Sequence, residues 1–231
     1  MGMRDFVMAI SALSLAIVGI YYGVRFIRIK NYLLGWEWVI LGFSAANMLL
    51  AVVLQNTFFE GVALYCDAFS RGVGFPLIAT LGFVELFTGR KFSKAFNLSV
   101  FVGGALFAWG ARTIWMDSAG LQLAFIVLGQ VFFLLLLYFA YRLFSARIFG
   151  HGVAVLVILA ALIIVSLLEG QFVVIPGEET NVLFNWLTLA MFVWAISFAE
   201  CFYAYCAYAK KTGRFGAHGS ELSSGARAVS I

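Results

Sequence analysis

Seven apolar runs, centred on residues 6–27, 35–55, 61–87, 96–116, 120–144, 152–170 and 182–208, take up most of this 231-residue chain. Each is about the 20 residues a helix needs to cross a hydrocarbon core of roughly 30 Å. Their connections alternate in charge. Lys and Arg cluster after the first run (Arg25, Arg28, Lys30), the third (Arg90, Lys91, Lys94), the fifth (Arg142, Arg147) and the seventh (Lys210, Lys211, Arg214), whereas the intervening connections carry Asp5, Glu60, Asp117, Glu178 and Glu179, with Arg4 as their one base. Because basic loops stay on the cytoplasmic side, the pattern predicts an outside N-terminus and a cytoplasmic C-terminus. Lipid leaves helices as the only open-ended way to satisfy backbone groups, and the runs are about twice the roughly 9–11 residues of a barrel strand. The expected fold is an all-α, polytopic membrane protein of seven transmembrane helices.

Only 11% of the residues are charged and 64% are hydrophobic, against about 25% charged in soluble domains. The net charge of +4 does not point to nucleic acid, since twelve of the fifteen bases belong to cytoplasmic loops or the tail. The first apolar run is longer than the about 7–15 residues of a signal peptide and ends in Arg25 and Arg28, so it reads as a retained helix. Phe6 stands where a myristoylation signal has Ser or Thr. Cys66, Cys201 and Cys206 form no CxxC pair and read as small packing residues. Residues 1–211 are expected to form the membrane domain, and 212–231, rich in Gly, Ser and Ala, a flexible cytoplasmic tail.

A shift of 117 residues sets Tyr22, Arg25, Phe26 and Gly35 against Phe139, Arg142, Leu143 and Gly152. This suggests a parallel 3+1+3 pseudo-repeat with the fourth helix as linker, although aromatic-then-Arg endings recur at any cytoplasmic interface. Trp36, Trp38, Trp115, Trp186, Tyr203, Tyr205 and Tyr208 are assigned to interfacial belts near span ends. Gly19 with Gly23, and Gly104 with Ala108, are small-xxx-small pairs suited to close helix approach. Pro76, in the segment Arg71–Pro76, predicts a kink.

Ionisable groups inside a bilayer are costly and need a partner or water. Placed by depth, they form an outer layer (Asp67, Arg71, Arg112, Glu169) and an inner one (Glu37, Glu85, Glu200). Asp67 and Arg71, four residues apart, are expected to pair on one helical face. That leaves Glu169 or Asp67 as the counter-ion for Arg112, with Trp109 and Trp115 in range for a cation–π contact. This outer group is either a structural clasp or a solute or anion site. Glu200 has no base within four residues in its own span. Unpaired and desolvated, it is expected to hold a proton at neutral pH, with Ser197 and Tyr203 in hydrogen-bonding range. The alternative is a clasp to a neighbouring helix or to Arg25 or Arg142. Glu37 and Glu85 are assigned to the cytoplasmic interface. Between the layers, Asn47, Thr80, Gln130 and Thr188 are expected either to line a polar midplane cavity or to tie helices together.

The seven-helix plan resembles microbial rhodopsins in architecture alone, since all five lysines lie at cytoplasmic ends and none can form a retinal Schiff base. It resembles SWEET-type sugar transporters in topology, without their proline-glutamine loop motif. His151 at a helix end and His218 in the tail do not make a bis-histidine haem or a metal site, and no GxSxG, HExxH or phosphate-loop motif occurs. No cofactor is expected. Two functions follow. The first is translocation of a small solute or ion across an inner or plasma membrane, with proton coupling through Glu200 and contacts from Asn47, Asp67, Arg71, Arg112, Gln130 and Glu169. The alternative is a non-enzymatic sensor or accessory subunit that binds a partner membrane protein, a second copy or a hydrophobic ligand. A water-accessible interior favours the first, and a dry aromatic bundle the second.

Overall fold

The computed structural model describes residues 3–114, 119–169, 175, 177, 181, 182 and 184–214. Trp115, Asp117, Pro176, Glu178, Glu179 and the tail from residue 215 lie outside these. The described residues are all-helical: α1 (Met3–Arg28), α2 (Tyr32–Leu54), α3 (Thr57–Phe69), a π-helical segment (Ser70–Ala79), α4 (Thr80–Thr88), α5 (Lys94–Thr113), α6 (Ala119–Ser145), α7 (Phe149–Glu169) and α8 (Trp186–Lys211). The third apolar run is one continuous rod, Thr57–Thr88, made of α3, the π segment and α4.

Each of the seven apolar runs contains a helix, and six of the helices are long and apolar enough to cross a membrane. The exception is α5, whose 20 residues include Lys94, Asn97, Ser99 and Arg112. Its place in the bundle matches this composition. The six spanning candidates pack in a closed ring, α1 on α2, α2 on the third rod, that rod on α6, α6 on α7, α7 on α8 and α8 back on α1, while α5 leans on α3 and the π segment from outside.

Local sequence sets the ends of the rods. Asn31, Asn56, Ser93 and Asn185 are N-caps whose side chains accept backbone N–H groups of the first turn, as short polar side chains do there. The α1–α2 and α6–α7 turns share one hydrogen-bond pattern. In the first, Lys30 at φ 61° donates to Ile27 O and Asn31 to Phe26 O; in the second, Arg147 at φ 58° donates to Phe144 O and Ile148 to Leu143 O. These are Schellman closures with a basic residue at the left-handed position usually held by glycine. They recur at the 117-residue offset found in the sequence.

The α1–α2 pair is the tightest seam. A Cβ on Gly19 would lie 2.8 Å from Gly42 Cα, and one on Gly23 2.8 Å from Gly35 O. The expected small-residue approach is therefore present, with α2 supplying its own two glycines. Gly104 and Ala108 are likewise buried, with Gly104 against the Phe69 ring.

Pro76 does not produce a simple kink. It sits inside ten residues of π-helix. Proline offers no N–H to the carbonyl one α-turn earlier, and i→i+5 spacing reassigns the carbonyls that would otherwise be left over. The wider turn also places Gly72 and Gly74 at helix contacts, Gly72 against Phe107 and Gly74 against Glu37.

The interior of the ring is aromatic. On α8, Trp194, Phe198, Phe202, Tyr205 and Tyr208 recur at steps of four, four, three and three and form one helical face. Trp194 stacks on Phe75 at 4.3 Å and Phe198 on Trp38 at 4.5 Å, while Phe202 and Tyr205 meet Phe26 edge-on at 5.0 and 5.1 Å. Below them Phe83 meets Phe139 at 4.8 Å and Phe87 meets Tyr208 at 6.0 Å. Offset and edge-on ring pairs at such separations are favourable beyond the area they bury. Trp38, Tyr205 and Tyr208 thus belong to the core, not to the interfacial belt the sequence suggested. Trp36 and Tyr203 are exposed as expected.

Candidate functional site

Among the described residues three ion-paired clusters form, and the buried Glu37 belongs to none of them. In the outer cluster, Arg71 is held between two carboxylates. Its Nε donates to Asp67 Oδ2 at 2.9 Å, its Nη2 reaches the same carboxylate, and its Nη1 donates to Glu169 at the end of α7. The guanidinium also lies 5.2 Å from the centre of the Phe125 ring on α6. The i,i+4 pair is as the spacing predicts, but Glu169 serves Arg71 and not Arg112. Arg112 is half-buried on the peripheral α5 and makes no ion pair among the described residues. Trp109, expected beside it, is exposed.

At the opposite end, the Glu85 carboxylate accepts from Lys91 Nζ at 2.6 Å and from Phe92 N at 3.1 Å. Lys91 Nζ also donates to Lys30 O at 3.1 Å, fastening the α4–α5 loop to the α1–α2 turn. Glu85 therefore sits beside the basic clusters as expected, although its side chain is buried. Arg142 lies among Phe87, Tyr138 and Tyr208, 5.2–5.7 Å from the three ring centres, and donates to Tyr138 Oη at 2.8 Å.

Glu200 is not unpaired. His151 Nδ1, on the first turn of α7, is 2.6 Å from Glu200 Oε1. The expected neighbours are engaged elsewhere: Ser197 Oγ donates to Val193 O at 2.6 Å, and Tyr203 Oη bonds Tyr22 Oη at 3.1 Å. Arg25 lies over Tyr21 and Phe202, so neither it nor Arg142 takes the acid. The sequence signal for this pair is a histidine two residues into α7 at the depth of Glu200, a depth hidden because α8 runs eleven residues beyond Glu200.

The residues expected to line a polar centre do not meet. Asn47 is buried, but its Nδ2 donates to Phe43 O in its own helix at 2.8 Å. Gln130 is on the exposed face of α6 and donates to Ile126 O at 3.1 Å. The Thr80 and Thr188 hydroxyls have no hydrogen-bond partner among the described residues. The polar junction that does form was not anticipated. Asn31 is fully buried, and its Nδ2 donates to Gly82 O at 2.9 Å and Tyr205 Oη at 3.0 Å, so one amide joins α2, α4 and α8.

Glu37 departs furthest from expectation. It is fully buried instead of interfacial, and its carboxyl fills a notch made by Gly74 of the π segment. A Cβ on residue 74 would lie 2.1 Å from Glu37 Oε1. Ser70 is its polar neighbour, yet neither carboxyl oxygen nor the Ser70 hydroxyl has a hydrogen-bond partner of standard geometry among the described residues.

Two spaces among the described residues are of note, one small and one lateral. Between α1, α2 and α8, lined by Met8, Ala12, Met48 and Met191, there is about 10 Å³, room for about a single water. A groove of about 570 Å³ runs along the outside of α1, from Leu13 to Arg25 and Arg28. No group of three or more His, Cys, Asp or Glu among the described residues is placed to hold a metal ion.

Fold and site together are those of an integral membrane helix bundle. No family model, curated protein or solved structure matches the chain.

Proposed function

We propose that the chain is a non-enzymatic sensor or accessory protein of the inner or plasma membrane, in which α5 crosses beside the six more apolar rods, so that an odd number of crossings sets the N-terminus outside and the C-terminus cytoplasmic. It works as a closed bundle that binds a partner membrane protein or a hydrophobic ligand. One observation carries this reading: the space inside the helix ring, where a conduit needs polar lining, is filled by the α8 aromatic stripe and its partners on α1, α2, α4, α6 and the π segment. The Arg71–Glu169 and His151–Glu200 pairs then act as clasps between helices, and Lys91 ties the α4–α5 loop to Glu85 and to the α1–α2 turn. The matching α1–α2 and α6–α7 turns support the parallel pseudo-repeat and with it the common orientation of the two halves.

The test is reconstitution in liposomes carrying a pH-sensitive dye, together with crosslinking in native membranes. A closed bundle gives proton and solute leakage equal to empty liposomes, and crosslinks to a species that the purified chain cannot form alone. A second reading, proton-coupled translocation, is favoured by the buried acid Glu37 beside a π segment, since intramembrane acids commonly mark ion pathways. Flux above the lipid background, abolished by Glu37→Gln, selects that reading.

A further inference from the structure

Glu37 combines three features that packing alone does not explain. Its carboxyl is fully buried, neither of its oxygens has a hydrogen-bond partner of standard geometry among the described residues, and it occupies a notch that exists only because residue 74 lacks a side chain. A buried carboxylate without a counter-charge is among the costliest groups a protein can hold, whereas the neutral acid is tolerated. The groups around it offer no positive charge. On α3, Cys66 is a buried free thiol, and Asp67 is bound to Arg71. On the π segment, Arg71 is taken up by Asp67 and Glu169. On α4, Glu85 is tied to Lys91. On α1, Arg25 lies over Tyr21 and Phe202. On α8, Tyr205 is held by Asn31, Glu200 by His151, and Cys201 is a buried free thiol.

We propose that Glu37 is a proton-binding site, occupied in the packed state described here, and that release of its proton to water drives a change in the winding of Ser70–Ala79. The π segment is the part of the rod best able to respond. Single π turns are the usual form and ten residues of π winding the exception, and Pro76 already removes one donor. The notch also makes the response two-state. A one-residue change of register replaces Gly74 at the carboxyl with Val73 or Phe75, whose Cβ would fall where the Gly74 position leaves 2.1 Å. The carboxyl must then leave the notch, and a carboxylate gains water by leaving. The proton is thus bound with the segment π-wound and lost with it re-registered. This inference holds whether the bundle senses or translocates.

The test uses the full chain in phosphatidylcholine nanodiscs, with two readouts across a pH titration: the infrared C=O band of a protonated carboxyl, and amide hydrogen exchange of peptides covering residues 70–79, expressed at each pH relative to the intrinsic base-catalysed rate of the unstructured peptide. The wild type should lose a protonated-carboxyl band as pH rises, and exchange at 70–79 should accelerate over the same pH range. Glu37→Gln should lack that band and show exchange independent of pH. Wild-type exchange at 70–79 that stays flat across the titration overturns the proposal without recourse to any variant. So does a band that titrates unchanged in Glu37→Gln. Should Glu37→Gln not fold, Glu37→Asp supplies the second variant: a carboxyl one methylene shorter is withdrawn from the Gly74 notch and should shift the wild-type band, and an unmoved band places the protonated acid elsewhere.

Discussion

Replacement of Arg71 by Ala removes the cation shared by α3, α6 and α7, and its cost can be worked from the geometry. Breaking a fully buried ion pair costs about 3–5 kcal/mol because a charge is stranded. That figure is too high here, since the Arg71, Asp67 and Glu169 side chains are 37%, 37% and 31% exposed and Glu169 ends α7, where screening is available. Pairs with that exposure are closer to about 0.2–1 kcal/mol each, and the Phe125 cation–π contact adds about 0.5–1 kcal/mol. Two pairs and one ring contact give a loss of about 2 kcal/mol, including the repulsion left between two unneutralised carboxylates. Reversible unfolding in mixed micelles measures it. The decisive comparison repeats Arg71→Ala in an Asp67→Asn, Glu169→Gln background, where the loss should fall to about 1 kcal/mol or less because only the ring contact remains. An equal loss in both backgrounds refutes the ion-pair account of the outer cluster.

Three further outcomes are expected. Glu200→Gln and His151→Ala should each destabilise the α7–α8 contact by about 1 kcal/mol, and the double variant by no more than either alone, as a double-mutant cycle on the same unfolding assay would show. Gly23→Val should separate α1 from α2, because even a Cβ there would lie 2.7 Å from Val39 Cγ2 and 2.8 Å from Gly35 O; the cost should reach about 1–3 kcal/mol, seen as a lower thermal midpoint. Trp38→Phe should be mild and Trp38→Ala severe, about 1.5 against about 3–5 kcal/mol, since Trp38 Nε1 has no hydrogen-bond partner to lose among the described residues while its ring stacks on Phe198.

The rods and their turns were legible because hydropathy and loop charge report directly on lipid exposure. Asp67 with Arg71, Gly19 with Gly23, and the place of Glu85 near the Arg90 cluster were legible because each rests on local spacing or on a nearby basic cluster, whereas the pairing of Glu85 with Lys91 was not. What escaped was relative rotation and register between distant helices. Glu200 looked unpaired because helical spacing describes only neighbours on the same helix, while its partner His151 is 49 residues away. Glu37 looked interfacial between Trp36 and Trp38, but Trp36 faces outward and the next two residues turn inward. The α8 stripe was present as a four-four-three-three spacing, yet tyrosines near a span end are equally what an interfacial belt requires. The π winding had Pro76 as its one local sign, and proline alone does not separate a kink from a π segment.

The central claim, a bundle with no aqueous path through its interior, is tested most directly by thiol accessibility. In a background with Cys66, Cys201 and Cys206 replaced by Ala, Ala195→Cys places a thiol on the buried face of α8 and Ala95→Cys places a control on the exposed start of α5. With a membrane-impermeant maleimide applied to both faces of the membrane, Cys at position 95 should label readily and Cys at position 195 only after denaturation. Labelling at position 195 in the native membrane, from either face, would contradict the closed bundle.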